Sequence, residues 1–325
     1  MEKIVFDIYG ADAGPEIIVK GVAKAIKTES IFPVLVGDSD LIHTVMQACN
    51  VAPSEYEVIH TTEYISHTDS PACIFGGRDN SSMALSLQRL KSDDQCVAMV
   101  SAGNTGALLV GSICRLGLFA GLKTPALSCA LPCNGEHLIC LVDCGANMDC
   151  SVNDFVNYAK MGNVFSKCCC GVDSPRVGIM SVGREEGKGT AFTLKAFEQL
   201  KQLPLNFVGN LEGGDMVSDY ADVVITDGFS GNLLLKNTEA AGKKAMALVE
   251  QFASENPELI ARIRQALWNT FDFNSQGAAT FLGTKKTVVK MHGCANQDTT
   301  VSTVQQVLRL ERAGFIEQMA VALSE

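Results

Sequence analysis

The sequence predicts an α/β fold built on a mostly parallel sheet, on three observations. Short apolar runs alternate with helical patterns along most of the chain. Glycines are many (29) and aromatics few (6%), a mix that suits tight strand-to-helix turns better than an all-β sandwich. The 325 residues suffice for a single unit, or for two lobes around a central cleft, with a full core and no need of staples.

The elements follow in order. Ile4-Val5-Phe6 reads as a strand, and from Glu16 a helix carries Ile17, Ile18, Val22, Ala25 and Ile26 on one face. Pro33–Val36 is the next strand; Asp38 or Ser39 caps a helix running to about Cys49. A helix begins near Ser81 and Ser82. Val97–Val100 is a buried strand with a helix from Thr105. Ala126–Leu131 and Leu138–Val142 flank Pro132-Cys133-Asn134-Gly135-Glu136, a hairpin signal, and such a hairpin near 126–143 is a candidate arm or subunit contact. Strands recur at Val177–Met180, Phe207–Val208 and Val223–Thr226, each before a helical pattern. Beyond Thr226 the chain reads as mostly helical until the strand Thr287–Met291. One final amphipathic helix carries Val301, Val304, Leu308, Phe315 and Met319.

Composition excludes several classes. A formal charge of −10 argues against nucleic acid as a partner, though not against small phosphates, which local loops hold. Residues Met1–Pro15 carry Glu2, Asp7 and Asp12 and no apolar signal region. Gln95–Cys114 is uncharged and long, but the polar loop at its middle marks strand, loop and helix rather than a membrane span. The 13 cysteines are odd in number and lack paired C-x-x-C spacing; most lie in apolar runs as small hydrophobes. No metal is expected, and reduced thiols fit a cytoplasmic protein.

Three strand ends share one chemical style. The first is Ser101-Ala102-Gly103-Asn104-Thr105-Gly106, whose glycines let backbone amides converge before the positive end of a helix. The second, Gly183-Arg184-Glu185-Glu186-Gly187-Lys188-Gly189-Thr190, fails the P-loop spacing but sets Lys188 near a helix start. The third, Asp227-Gly228-Phe229-Ser230-Gly231-Asn232, places Asp227 at the carboxyl end of its strand, where open α/β sheets bind ligands. Each loop alone also reads as a capped turn or solvated surface; together they point to a shared phosphate-rich cleft. Asp143–Asp149 clusters acids with an amide after a buried strand, and His292-Gly293 follows the strand ending at Met291.

Taken in order, these segments resemble the PlsX family of phosphate acyltransferases. The matching stretches are Asn80–Met83, Ser101–Leu108, Asp143–Cys150, Pro175–Gly178, Glu185–Gly189, Ala221–Val224 with Asp227–Asn232, and Lys290–Gly293. The resemblance implies a three-layer α/β/α fold like that of isocitrate and isopropylmalate dehydrogenases, and a homodimer. It also implies transfer of an acyl group from acyl carrier protein to inorganic phosphate, giving acyl phosphate for phospholipid synthesis without a cofactor. We place the catalytic groups at Lys188, His292, Asp227 and Asn232. Substrate and phosphate binding fall to Ser101, Gly103, Asn104, Thr105, Gly106, Asp143, Asn147, Gly183, Arg184, Glu186, Gly228, Ser230, Gly231 and Gly293. The chain departs from the family pattern at Tyr9–Asp12, Gly76–Asp79, Arg184, Thr190 and Cys294–Asn296.

The chemistry suits the loops. Phosphate is already an anionic nucleophile, so the protein has mainly to position and desolvate it. Loop amides or Lys188 can stabilise the charge developing on the thioester oxygen, and His292 can protonate the leaving thiolate or orient phosphate. Ile260, Ile263, Leu267 and Phe271 form a helical stripe beside Trp268, with Arg262 and Arg264 nearby. That stripe suits either a membrane surface, where a membrane acyltransferase would receive the product, or plain packing. The rival readings are a phosphotransacylase using short acyl-CoA, a catalytically silent regulatory paralogue, and a nicotinamide-dependent dehydrogenase. No G-x-G-x-x-G opens the first helix to favour the last.

Overall fold

The computed structural model describes residues 1–133, 137–252, 256–271 and 276–324. Asn134-Gly135-Glu136 of the expected hairpin turn and the Trp268 side chain lie outside the described residues. The chain forms two compact units, Met1–Pro125 with Gly277–Glu325, and Ala126–Gln276.

The first unit opens with β1 (Glu2–Asp7), α1 (Pro15–Thr28), β2 (Ile31–Gly37), α2 (Ser39–Ala48), β3 (Glu57–His60), α3 (Ser82–Ser92), β4 (Cys96–Ser101) and α4 (Thr105–Leu116). The second holds β5 (Ala126–Pro132), β6 (Leu138–Val142), α5 (Val152–Phe165), β7 (Arg176–Met180), α6 (Ala191–Leu200), β8 (Asn206–Leu211), β9 (Val223–Ile225), α7 (Gly228–Glu250) and α8 (Pro257–Phe271). The chain returns to the first unit with β10 (Ala279–Leu282), β11 (Thr287–Lys290), α9 (Gln297–Arg312) and α10 (Phe315–Ser324).

In the first unit the strand order is β3-β2-β1-β4-β11-β10, all parallel except β10 against β11. Side chains alternate faces along a strand. Ile4 and Phe6 of β1 join a core with Ile18 and Val22 of α1 and Val304 and Leu308 of α9. Val5, between them, is equally buried on the opposite face. Both faces of the sheet are therefore covered, as parallel strands require. In the second unit the order is β5-β6-β9-β7-β8. Here β5 and β6 form the expected antiparallel hairpin, with Pro132 opposite Leu138, and β6, β9, β7 and β8 run parallel. The hairpin strands are built into the sheet and mostly buried.

Local chemistry sets the helix starts. Asp38, Ser81, Asn104 and Asp227 each accept amide hydrogens of the following first turn. Two strands, β3 and β10, were not expected, and the final helix is two. Gly314 stands between α9 and α10 with φ +64°, a left-handed stop that a purely periodic reading passes over.

The helix α8 packs on α7, and a Cβ at Gly242 would come 2.5 Å from Phe271 Cβ. Ile260 of the expected stripe is buried, while Leu248, Phe252, Leu259 and Ile263 are exposed around the same pair of helices. Among the described residues, no helix is long and apolar enough to cross a membrane. None of the 13 cysteines, all of which lie among the described residues, is paired in a disulfide.

Candidate active site

In each unit the candidate loops leave the carboxyl ends of adjacent parallel strands, so topology gathers them at one sheet edge. In the first unit these strands are β1, β4 and β11. The loop after β4 folds inward on itself. Ser101 Oγ donates to Asp7 Oδ2 at 2.7 Å and accepts from the Gly103 amide at 3.0 Å. Asn104 Oδ1 accepts from the Ala107 amide at 3.0 Å, while Asn104 Nδ2 donates to the carbonyls of Ser66 and Asp69 at 3.1 and 3.0 Å. Ser101 and Asn104, expected to bind phosphate through their side chains, are thus buried and engaged by the protein. What they organise is backbone: Gly103 and the first turn of α4, which begins at Thr105 and Gly106.

Two more segments close on this loop. Gly10, with φ +99°, lies so near that a Cβ there would come 2.4 Å from Gly103 Cα; only glycine permits that contact and that φ. The carbonyl of Gly10 meets His67 Nε2 at 2.9 Å. Gly293 O accepts from the Asp12 amide at 2.8 Å. His292, beside it, is exposed, and its Nδ1 lies 3.2 Å from Cys294 Sγ.

In the second unit β6, β9 and β7 deliver the other loops. Asp143 is fully buried. It accepts from the amides of Leu127, Gly145, Ala146 and Asn147 at 2.7–3.1 Å and from Asn147 Nδ2 at 2.9 Å. Burial pushes its carboxyl pKa up, against the lowering pull of those hydrogen bonds. The start of α7 docks on this loop. The Gly228 amide donates to Asn147 O at 2.8 Å, and a Cβ at Gly231 would stand 1.9 Å from Asp143 O. Asp227 caps α7 through the Ser230 amide and hydroxyl, both at 2.8 Å. Asn232 is exposed beside Gly145. The structure therefore brings Asp143, Asn147, Asp227, Gly228, Ser230, Gly231 and Asn232 together.

The loop after β7 is pinned by Asn210, whose Nδ2 donates to Glu185 O at 2.7 Å, and by Ser181 Oγ, which donates to Lys188 O at 3.1 Å. Gly183 is buried under the side chains of Glu185 and Lys188. Arg184 pairs with the buried carboxylate of Asp215 and lies over the Tyr220 ring, 4.7 Å from its centroid. Glu186 pairs on the surface with Lys201 at 3.1 Å. Arg184 and Glu186 are thus committed to protein partners. Among the described residues, the side-chain polar atoms of Lys188, Thr105 and Asn232 have none. Lys188 sits three residues before α6, whose cap is Thr190.

Reading residue by residue missed Asp7, Lys290, Asn210 and Asp215, which act through partners far along the chain. A lysine inside the apolar run Val288–Met291 was the one visible signal. The matched residues Arg176 and Asp222 form a bidentate pair, both contacts at 2.9 Å, at the opposite sheet edge from these loops. Among the described residues no group of three or more His, Cys, Asp or Glu could hold a metal ion.

The fold has solved counterparts. A phosphotransacetylase from Streptococcus pyogenes aligns with a TM-score of 0.65 at 16% identity, covering 97% of this chain and 94% of that one. A branched-chain phosphotransacylase from Enterococcus faecalis V583 aligns at 0.57 and 13% identity, covering 95% and 99%. The chain belongs to the family of fatty acid synthesis proteins, whose model matches residues 2–318. Relatives named phosphate acyltransferase include one from Clostridioides difficile, 32% identical over 99% of this chain and 96% of that one. Another, from Thermoanaerobacterium thermosaccharolyticum, is 35% identical over 94% and 91%.

Proposed function

We propose that the protein is a phosphate acyltransferase, transferring an acyl group from a thioester donor to inorganic phosphate to give acyl phosphate and a free thiol. The observation that carries this is identity of 32–35% to phosphate acyltransferases across nearly the full length of both chains. The site chemistry agrees with it. Gly103–Gly106 and Gly228–Gly231 open helices α4 and α7, whose first-turn amides favour an anion. Lys188 supplies an uncommitted cation for phosphate or for the developing oxyanion. His292 orients phosphate or protonates the departing thiolate. In the second unit Asp227 holds the start of α7 and Asn232 offers an exposed amide.

The donor is acyl carrier protein and the product feeds phospholipid synthesis, as the family resemblance implies. The enzyme works as a homodimer in the cytoplasm and attaches to the membrane at its surface, handing acyl phosphate to a membrane acyltransferase. The exposed Leu248, Phe252, Leu259 and Ile263 support that attachment. Trapping the product as hydroxamate tests the reaction. Product with acyl carrier protein donors supports the proposal, product only with short acyl-CoA assigns the phosphotransacylase reaction, and no product from any thioester overturns both.

A further inference from the structure

Three polar side chains are buried where β1, β4 and β11 end side by side. Asp7 and Lys290 both stand opposite Ser101 in the strand register. Ser101 is fully buried, Asp7 is 1% exposed and Lys290 9%. Withdrawing a carboxylate and an ammonium from water is costly, and apolar residues of similar size would often serve stability equally well. The reason for these groups is to be sought in what they hold.

Their contacts run into the two candidate segments of this unit. Asp7 Oδ1 accepts from the Tyr9 amide at 3.2 Å, at the head of the loop whose Gly10 packs on Gly103. Asp7 Oδ2 accepts the Ser101 hydroxyl, which in turn accepts from the Gly103 amide. Lys290 Nζ donates to Ala102 O at 3.0 Å and to Met291 O. Those carbonyls belong to the peptides that carry the Gly103 and His292 amides. One ammonium therefore ties the glycine loop to the histidine segment, and one carboxylate ties that loop to Tyr9–Gly10.

We propose that Asp7 and Lys290 are positioning residues for acyl transfer, fixing the Gly103 loop and the His292 segment in one mutual geometry without touching substrate. The inference rests on the reaction proposed above. A displacement of about 1 Å in a catalytic group costs on the order of 100-fold in rate. Loss of the shared anchor should therefore appear in kcat rather than in substrate affinity.

Lys290→Met keeps an unbranched side chain one atom shorter and removes the hydrogen bonds to the Ala102 and Met291 carbonyls. Ser101→Ala cuts the bridge between Asp7 and the Gly103 amide without changing charge. Both are assayed by hydroxamate trapping with phosphate and acyl-[acyl carrier protein], with circular dichroism and thermal melting to measure the folded fraction. Per folded molecule, Lys290→Met should lose about 100-fold and Ser101→Ala about tenfold in kcat, each with KM for both substrates within about threefold. A kcat per folded molecule within about threefold of wild type would overturn the proposal. If Lys290→Met does not fold, Ser101→Ala decides by the same criterion. Wild-type protein that makes no acyl phosphate would instead overturn the reaction itself, before any variant is compared.

Discussion

Asp143 accepts hydrogen bonds from four residues of its own surroundings, whereas the Lys188 ammonium has no partner among the described residues. The two should respond differently to substitution. Lys188→Ala removes an exposed cation and should leave the melting temperature unchanged while lowering kcat on the order of 100-fold, the usual scale for losing one charge-stabilising group. An unchanged rate would remove Lys188 from the site. Asp143→Asn turns an acceptor-only group into one with an amide donor facing N–H groups. It should cost roughly 1–3 kcal/mol of stability in urea melts, with activity lost alongside. Arg184, unlike Lys188, is held by protein partners, Asp215 and the Tyr220 ring.

At the scale of elements, the contact of α7 with the loop after β6 is the most exacting. Gly231→Ala would drive a methyl carbon to 1.9 Å from Asp143 O, and α7 must shift to accept it. A destabilisation of about 3 kcal/mol or more is expected, with loss of activity. The Arg176–Asp222 pair joins the start of β7 to the turn before β9 and has a pH signature. Burial alone would raise the Asp222 pKa, but the Arg176 hydrogen bonds and charge outweigh it and hold the carboxyl below its usual range. A depressed folded-state pKa stabilises the protein above the unfolded value of about 3.9, and the gain disappears as pH falls through the folded value. The stability gap between wild type and Asp222→Asn should therefore be about 1–3 kcal/mol at pH 7, begin to shrink below about pH 4, and close once pH passes below the lower folded value. A gap that widens in acid would contradict this assignment. The elements show what could be read beforehand. The cap at Asp38 and the helix starts near Ser81 and Thr105 were legible because each cap acts within three residues of itself. The short strand β3 was not, since Glu57–His60 holds only the apolar pair Val58-Ile59 between two polar residues. The break at Gly314 was hidden because apolar spacing continues across it. Ser101 was read as a ligand because its partner, Asp7, lies 94 residues away and meets it only through strand register.

For the molecule as a whole, the fold and family were legible because glycine loops and strand runs recur in order along nearly the entire chain. Which side chains in those loops remain available to a ligand was not, because that depends on long-range hydrogen bonds. Each unit presents the same construction: parallel strands, carboxyl-end loops and helix starts that favour anions. This construction fits phosphate as the acyl acceptor, and the most direct test is product formation. Purified protein is incubated with phosphate and acyl-[acyl carrier protein], and hydroxylamine traps any acyl phosphate formed. The account predicts hydroxamate that depends on both substrates and falls on the order of 100-fold with Lys188→Ala. No hydroxamate from any acyl thioester would contradict it.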